Sequence, residues 1–265
     1  MKASIIISVY KNTQALHLIL ESLRVQTNKD FEIIISEDGE DEGMLNFVSN
    51  YNWFCPYQHL TQQDIGWRKN RALNRAVVAA KNEWLIFIDG DCIVHPRFVE
   101  MHLYYATKDP NKILLGKRVK LSPTISRKIL KYDFSCIKQW WKLFIYGCSC
   151  ADEGIFIPYF LNKQLKSTKH LIGCNMSFSK TAIISINGFD EDYILPAVGE
   201  DADIHWRLMR KGYEFISVRN RAIVYHIYHE KNWVDQEKNL EIMCCNQQKN
   251  QIFCKKGINQ YINGK

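Results

Sequence analysis

The chain has 265 residues, a length that suits one large domain or two small ones. Its hydrophobic content of 46% is ample for a sizeable core, yet no stretch approaches the roughly 20 apolar residues of a membrane span. The formal net charge of +7 fits a diphosphate ligand or an anionic membrane surface, and equally fits ordinary solvated lysines. We expect no nucleic-acid partner.

The nine cysteines are scattered and odd in number, which argues against a disulfide framework. The N-terminus runs straight into a strand pattern without a secretory signal, so we expect reduced thiols in a cytoplasmic protein. The basic charge leaves open a peripheral contact with the inner face of the membrane. Zinc binding through Cys148 and Cys150 is a further alternative.

The first 120 residues alternate between strand and helix patterns. Strand patterns cover residues 4–9, 31–35, 58–61, 84–88 and 113–119. Helix patterns follow residue 13, surround residues 44–48, and cover residues 69–80 and 96–106. This order predicts an α/β fold of one domain, with a mostly parallel, twisted sheet and helices on both of its faces.

The alternation breaks down between residues 121 and 170, where aromatic residues mix with lysines. This stretch is either a long functional loop or a helical insertion. We interpret Trp140 and Trp141 as packed core aromatics, with sugar stacking or lipid contact as the alternative. Strand and helix patterns return from residue 171 to residue 230, and residues 231–265 are polar and lysine-rich, as in surface helices.

Two carboxylates, Asp89 and Asp91, end the apolar run of residues 84–88. Ligands of open α/β sheets bind at the carboxyl ends of the strands, and buried acids there need a cation to neutralise them. We predict that the pair holds a divalent metal, which in turn holds a diphosphate. The alternative is an acidic turn whose carboxylates are solvated.

Asp38 follows the second strand, so it should face the same crevice and accept a hydrogen bond from a nucleobase imide or a ribose. Arg68, Lys69, Arg71 and Arg75 lie near a helix N-terminus, where cations oppose the helix dipole and therefore indicate an anionic ligand. Of these four, Arg71 is our predicted contact to the diphosphate or the base.

Glu200 and Asp201 begin a helix, so they are either N-terminal capping acids or a catalytic base. A base there needs a partly dry site that raises its pKa. His226 and His229 follow a strand pattern. One histidine joining Asp91 would favour Mn²⁺ over Mg²⁺, and we choose His226 while leaving His229 open.

Six short motifs, in order, resemble those of the family-2 glycosyltransferases with the GT-A fold. They span residues 5–12, 34–39, 66–74, 85–92, 173–178 and 199–203. The second half also resembles the C-terminal module of galactosyltransferase type found in some of these enzymes, in which a metal-binding histidine follows a Gly-Glu-Asp segment. Two departures are Glu37 in the first position of the paired acids and Cys174 in place of a common glycine.

The resemblance implies transfer of a sugar from a nucleotide sugar, most often a UDP-sugar, to a hydroxyl of a glycan or glycolipid, with inversion and a divalent metal. It implies that Asp201 is the general base and that Glu200 contacts the acceptor. Metal ligation falls to Asp91 and His226. The implied nucleotide-sugar contacts are Ser8, Tyr10, Asp38, Arg71, Asp89, Gly90 and Asn175.

The same resemblance divides the chain into four parts. Residues 1–120 would bind the nucleotide sugar, residues 121–170 would shape the acceptor side, residues 171–230 would form the acceptor and catalytic half, and residues 231–265 would be a helical tail. Two rival functions stay open. The strand before Asp89 and Asp91 also resembles the first motif of haloacid-dehalogenase-type phosphohydrolases, and a fold of this type can also bind nucleotides or glycans without catalysis.

Overall fold

The computed structural model describes residues 1–158, 165–166, 170–196, 198–230 and 234–262. Parts of the predicted insertion (159–164 and 167–169) and of the predicted tail (231–233 and 263–265) lie outside the described residues. The strands are β1 (Ala3–Val9), β2 (Phe31–Glu37), β3 (Tyr57–Leu60), β4 (Trp84–Asp89), β5 (Cys92–Val94), β6 (Lys112–Leu115), β7 (Arg118–Lys120), β8 (Leu165–Lys166), β9 (Met176–Ser179), β10 (Glu214–Ser217) and β11 (Val224–His226). The helices are α1 (Thr13–Arg24), α2 (Glu42–Asn50), α3 (Lys69–Ala79), α4 (Phe98–Lys108), α5 (Pro123–Ile129), α6 (Ser135–Lys138), α7 (Trp140–Ile145), α8 (Lys180–Ile184), α9 (Asp201–Arg210), α10 (Glu237–Gln248) and α11 (Asn259–Ile262).

The main sheet has the strand order β3-β2-β1-β4-β9-β6-β10-β8 within the described ranges. Strands β3, β2, β1 and β4 are parallel, and β10 is parallel to β6, while β9 runs antiparallel to both of its neighbours. The predicted α/β fold with a mostly parallel sheet is confirmed.

Side chains of the central strands alternate between two cores, because successive residues of a strand point to opposite faces of the sheet. Ile5 and Ile7 of β1 pack in one core with α1 and α4, whereas Ile6 packs in the other with α3, α8 and α9. All three side chains are fully buried. Helices therefore cover both faces, which explains why these strands read as continuous apolar runs.

The strand predicted at residues 113–119 is two strands in two different sheets. Strand β6 belongs to the main sheet, and β7 joins β5 and β11 in a second sheet of three strands. The break falls at Gly116, where a Cβ atom would lie 2.1 Å from Nδ2 of Asn175. The backbone can therefore pass Asn175 only at a glycine, and it changes sheets there.

The described part of the insertion contains α5, α6, α7, a 3₁₀ turn at Ala151–Gly154 and the short strand β8. The prediction that Trp140 and Trp141 are core residues is wrong, because 49% and 46% of their surfaces are exposed. Helix α7 is held instead by Leu143, which is fully buried. Among the residues that the structure describes, no helix is both long and apolar enough to cross a bilayer.

A buried ion pair anchors α9, the helix that carries Glu200 and Asp201 at its start. Nε of Arg207 donates to Oδ2 of Asp203 at 2.7 Å, and Nη1 donates to the carbonyls of Ile186 and Gly188 at 2.8 Å. Both side chains of the pair are fully buried. The guanidinium therefore ties α9 to the turn that follows α8.

Replacing Arg207 should destabilise the fold strongly, because the Asp203 carboxylate would stay buried without its cation. We expect Arg207→Met to lower the free energy of unfolding by about 3–5 kcal/mol, measured by urea denaturation. The control is Arg210→Met on the exposed side of the same helix, which should change it by less than about 0.5 kcal/mol. Equal losses in the two variants would contradict this assignment.

Candidate functional site

A cleft of about 1000 Å³ opens at the carboxyl ends of the parallel strands β1, β2 and β4. Ser8, Asp38, Asp89 and Asp91 all line it, and they come from the ends of these strands or from the residues directly after them. His229 lines the same cleft from the second half of the chain. Parallel strands place their carboxyl ends at one edge, and this is why residues so distant in sequence converge.

The ends of β1 and β4 lie against each other at this edge. Ser8 and Asp89 are paired in register, and the Ser8 hydroxyl donates to Oδ1 of Asp89 at 3.3 Å. The next residue, Gly90, has no room for a side chain, because a Cβ atom would lie 2.6 Å from the carbonyl oxygen of Ser8. Glycine at this position therefore lets the chain turn between the two carboxylates without pushing β1 away.

The two acids at the end of β2, Glu37 and Asp38, have separate partners. Glu37 is buried, and its carboxylate accepts hydrogen bonds from Nε2 of His59 at 2.7 Å and from the backbone N–H of Asp41 at 3.0 Å. Asp38 faces the cleft and accepts from Nε2 of Gln62 and from the backbone N–H of Arg68, both at 2.7 Å. The Asp38 carboxylate is thus fixed in place with lone pairs left for a ligand.

Lys69 joins the two halves of the site. Its Nζ lies 2.7 Å from Oδ1 of Asp89 and 2.5 Å from Oε1 of Glu200. Burial lowers the pKa of this lysine, but the two carboxylates outweigh burial and raise it. For Glu200, burial is the largest effect and, despite Lys69, raises the pKa to about 7. One ammonium therefore holds two acids that are 111 positions apart.

Gly173 makes room for Glu200 in this arrangement. A Cβ atom at this position would lie 2.3 Å from Oε1 of Glu200 and 3.9 Å from Oδ1 of Asp89. The backbone N–H of Gly173 donates to Oδ2 of Asp201 at 3.3 Å. Burial raises the pKa of Asp201, and the hydrogen bond from Gly173 opposes that rise. The carboxylates of residues 89, 200 and 201 are therefore neighbours.

Asp91, His226 and His229 form a cluster whose ligand atoms lie within 4.8 Å of one another. Nε2 of each histidine is 3.2 Å from Oδ2 of Asp91. Burial raises the pKa of Asp91, but the hydrogen bond and charge of His226 outweigh it and bring the pKa down to about 2. A carboxylate with two imidazoles is a donor set that can hold a divalent metal ion, so the residues present form a candidate metal site.

Strand β11 delivers His226 to this cluster. It pairs antiparallel with β5, and His226 is in register with Cys92, directly beside Asp91. The backbone N–H of Ile227 donates to the Asp91 carbonyl at 2.9 Å. The small second sheet therefore positions the second half of the chain against the acids of the first half.

Two predicted contacts lie elsewhere. Arg71 is not among the described residues that line the cleft, and its side chain hydrogen-bonds to the Tyr261 hydroxyl. Asn175 is fully buried in the core, where its amide nitrogen donates to the carbonyls of Lys117 at 2.7 Å and Ala222 at 2.8 Å. This amide has no free donor for a sugar, so we revise the Asn175 contact, whereas the Arg71 contact stays a prediction.

Of the remaining predicted contacts, Tyr10 lines the cleft and is 54% exposed, with its hydroxyl 3.3 Å from Asp64. Lys69 was not predicted as a contact, although its place near a helix N-terminus is the same signal that singled out Arg71. Gln62, which orients Asp38, carried no signal, because a lone glutamine between a strand and a helix is ordinary.

A sequence model of glycosyl transferase family 2 matches residues 4–186. A second model, described as the N-terminal domain of galactosyltransferase, matches residues 160–230. Chondroitin synthase of Escherichia coli is 25% identical over 238 residues, which cover 84% of this chain and 34% of that protein. The chain thus spans about a third of the length of this relative.

Two solved structures share the fold. S. aureus TarS 1–349 in complex with UDP has a TM-score of 0.65 at 15% identity, covering 99% of this chain and 71% of that chain. The mannosyltransferase PcManGT from Pyrobaculum calidifontis, in complex with GDP-Man and Mn²⁺, has a TM-score of 0.60 at 13% identity, covering 88% of this chain and 58% of that chain. At these identities the likeness shows a shared fold.

Removing either histidine of the cluster should weaken metal binding. We expect His226→Ala and His229→Ala each to raise the dissociation constant for Mn²⁺ at least about tenfold, because each removes one imidazole ligand. Titration of free Mn²⁺ by electron paramagnetic resonance measures this constant. His17→Ala, which changes a histidine of another region, should leave it unchanged. Unaltered Mn²⁺ affinity in both cluster variants would rule the cluster out as a metal site.

Proposed function

This chain belongs to glycosyl transferase family 2, and from that membership we propose that it transfers a sugar from a nucleotide sugar to a hydroxyl of a glycan or glycolipid, with inversion. The observation that carries the proposal is the convergence of Asp38, Asp89 and Asp91 on one cleft, with Glu200 joined to Asp89 through Lys69. Family membership leaves the phosphohydrolase alternative without support.

We propose a UDP-sugar as the donor. The Asp38 carboxylate is a hydrogen-bond acceptor, and the imide N–H of uracil is a donor of matching kind, whereas the corresponding nitrogen of cytosine is an acceptor. Ser8 and Asp89 lie beyond Asp38 along the strand ends, where we assign the ribose, with Tyr10 at the exposed rim. The complex of TarS with UDP supports this choice, while that of PcManGT with GDP-Man makes guanine the nucleobase to test against it.

The diphosphate would lie between Lys69 and the cluster of Asp91, His226 and His229. When bound there, a divalent ion neutralises the charge that develops on the leaving diphosphate. The Mn²⁺ in the PcManGT complex supports Mn²⁺ over Mg²⁺ for this chain, as do the two imidazoles. Lys69 already balances Asp89 and Glu200, so the ammonium stabilises the site before the donor arrives.

We assign Asp201 as the general base and Glu200 as the contact to the acceptor. Asp201 would take the proton of the acceptor hydroxyl as that oxygen attacks the anomeric carbon, and the diphosphate would leave from the opposite side of the ring. Burial supports the assignment, because it raises the pKa of Asp201 and makes the carboxylate a stronger base. Single displacement of this kind inverts the anomeric centre.

These roles assign a different function to each segment of the chain. We propose that residues 1–120 bind the nucleotide sugar and that residues 171–230 supply the base, the acceptor contact and the histidines. Residues 121–170 would shape the acceptor side, since they border the cleft through Leu130. The helices α10 and α11 of residues 231–265 contribute no described side chain to the lining of the cleft.

The donor assignment is tested by thermal shift with UDP-, GDP- and CDP-sugars, each with and without Mn²⁺. We expect the largest stabilisation from a UDP-sugar with Mn²⁺, and we expect Asp38→Asn to weaken UDP binding about tenfold or more, because a charge-assisted hydrogen bond is lost. Asp30→Asn, at an exposed loop position, is the matched control. Stronger binding of a GDP-sugar, or unchanged UDP affinity in the Asp38 variant, would refute the uracil contact.

The base assignment is tested by turnover, measured as UDP release with a panel of glycan acceptors. Asp201→Asn should lower kcat by about 10²- to 10⁴-fold and leave UDP affinity unchanged, because only proton transfer is removed. Asp192→Asn, which changes a half-buried acid paired with Lys256 at 2.7 Å, should keep full activity. Full activity of the Asp201 variant would end the assignment, and wild-type UDP binding without turnover on any acceptor would favour a binding module.

The pH profile separates Glu200 from Asp201. Burial raises the pKa of Glu200 to about 7, so its carboxylate becomes protonated as pH falls through neutrality and then accepts only a weaker, uncharged hydrogen bond from the acceptor hydroxyl. We expect kcat/KM of the wild type to decline below about pH 7, and this limb of the profile to disappear in Glu200→Gln. A profile that is identical in both proteins would place Glu200 outside the acceptor contact.

A further inference from the structure

Four large apolar side chains of α7 are exposed side by side. The exposed fractions are 49% for Trp140, 46% for Trp141, 49% for Phe144 and 70% for Ile145. In a helix, residues four positions apart share a face, so Trp140 lies beside Phe144 and Trp141 beside Ile145. These four residues are called the α7 patch below. Such a concentration of exposed apolar area marks an interaction surface.

An apolar groove of about 490 Å³ opens next to the α7 patch. It lies between α1, β5, α6 and the 3₁₀ turn, and Trp140 belongs both to the patch and to the wall of the groove. The groove also contains Tyr225, which is 2% exposed and whose hydroxyl makes no hydrogen bond within the described part of the chain. Its other main apolar walls are Val25, Val94, Pro96, Phe134, Ile137, Ile155 and Phe156.

The rim of this surface is cationic. Residues 123–147, the segment that contains α5, α6 and α7, have five basic residues and one acid, Asp133, and so a net charge of +4, while Glu21 is the acid among the described residues that line the groove. Lys138 lies at the edge of the groove, and Nζ of Lys142 lies 5.5 Å from the centre of the Trp141 ring. Exposed aromatics with lysines beside them are the composition that proteins use at the boundary between lipid headgroups and acyl chains.

We propose that the α7 patch docks on an anionic lipid bilayer, with the lysines against lipid phosphates and one acyl chain in the apolar groove. The charge argues for this occupant. Two copies of the chain facing each other here would bring together two segments that each carry a net charge of +4, which costs free energy. The polar residues of the groove are Glu21, Ser22, His95 and Lys138, and its remaining walls are mainly apolar, which suits an acyl chain better than a glycan with a hydroxyl on almost every carbon.

Docking in this orientation would bring the bilayer close to the cleft. Tyr225 faces the groove, and the next residue of β11, His226, faces the metal cluster, because successive residues of a strand point to opposite sides. A single strand thus separates the lipid-facing groove from the candidate catalytic site. The docking surface is separate from the cleft, so the proposal does not depend on the proposed function.

The test uses the full chain and vesicles of phosphatidylcholine, alone or mixed with phosphatidylglycerol. We expect sedimentation with the mixed vesicles only, weakening as salt rises, since the lysines contribute through screened charges. Phosphatidylglycerol with brominated acyl chains should quench part of the tryptophan fluorescence. That quenching should be lost in a Trp140→Phe/Trp141→Phe variant, because phenylalanine does not contribute to the tryptophan fluorescence.

Substitutions then separate the apolar contribution from the charged one. Trp141→Ser/Ile145→Ser should lower the partition coefficient at least about tenfold, and Lys138→Gln/Lys142→Gln about fivefold for each lysine removed. The matched controls are Leu45→Ser, which is 54% exposed on α2, and Lys81→Gln, an exposed lysine between α3 and β4. Both controls should partition like the wild type, and all variants should keep the wild-type response to UDP with Mn²⁺.

Three results would overturn the proposal. The first is equal binding to vesicles with and without phosphatidylglycerol. The second is an unchanged partition coefficient after Trp141→Ser/Ile145→Ser. The third is a dimer in sedimentation velocity that this variant dissociates, which would make a second copy the occupant. Loss of UDP binding in any variant would count against a separate docking surface, whereas loss of vesicle binding alone leaves the proposed function untouched.

Discussion

The candidate site depends on one ion-pair network, the contact of the Lys69 ammonium with the carboxylates of Asp89 and Glu200. Carboxylates from three separate segments meet at one edge of the sheet, and their mutual repulsion in a partly dry cleft would oppose folding. The ammonium of Lys69 offsets this repulsion. Lys69 begins α3, at the end where the helix dipole is positive and disfavours a cation, so its attraction to the two carboxylates must outweigh the effect of the dipole. The two halves of the chain are thereby joined through charge.

Much of the fold was predictable because its central strands are recognisable in the sequence as continuous apolar runs. β1, β2 and β4 are apolar on both faces, and the edge at which parallel strands end follows from their direction, so the grouping of Asp38, Asp89 and Asp91 needed no structure. The GT-A fold was predicted from the same strands together with the order of the motifs. Glu37 illustrates the limit, because spacing cannot tell which of two adjacent acids turns away from the cleft to bind His59.

The rest depended on contacts between distant segments, which no local pattern contains. Arg71 and Lys69 carried the same signal, and only the packing of α3 decides which of them reaches the cleft. The aromatic content of α7 suggested burial, yet Leu143 alone provides its anchor and the tryptophans stay outside. The join of His226 to Asp91 follows from an antiparallel register between β5 and β11 that neither strand encodes by itself.

Asn175 has a consequence for how variation in this family would be interpreted. Its amide holds the carbonyls of Lys117 and Ala222, and its Oδ1 lies 3.2 Å from Nε2 of His102, so it fastens the turn between the two sheets to the segment that leads into β11. Substitutions of Asn175 would therefore inactivate the protein as substitutions of the substrate-binding residues do, although the amide N–H groups of Asn175 are already used within the core. Asn175 would be retained because it stabilises the fold, and that retention would be misinterpreted as a role in binding or catalysis.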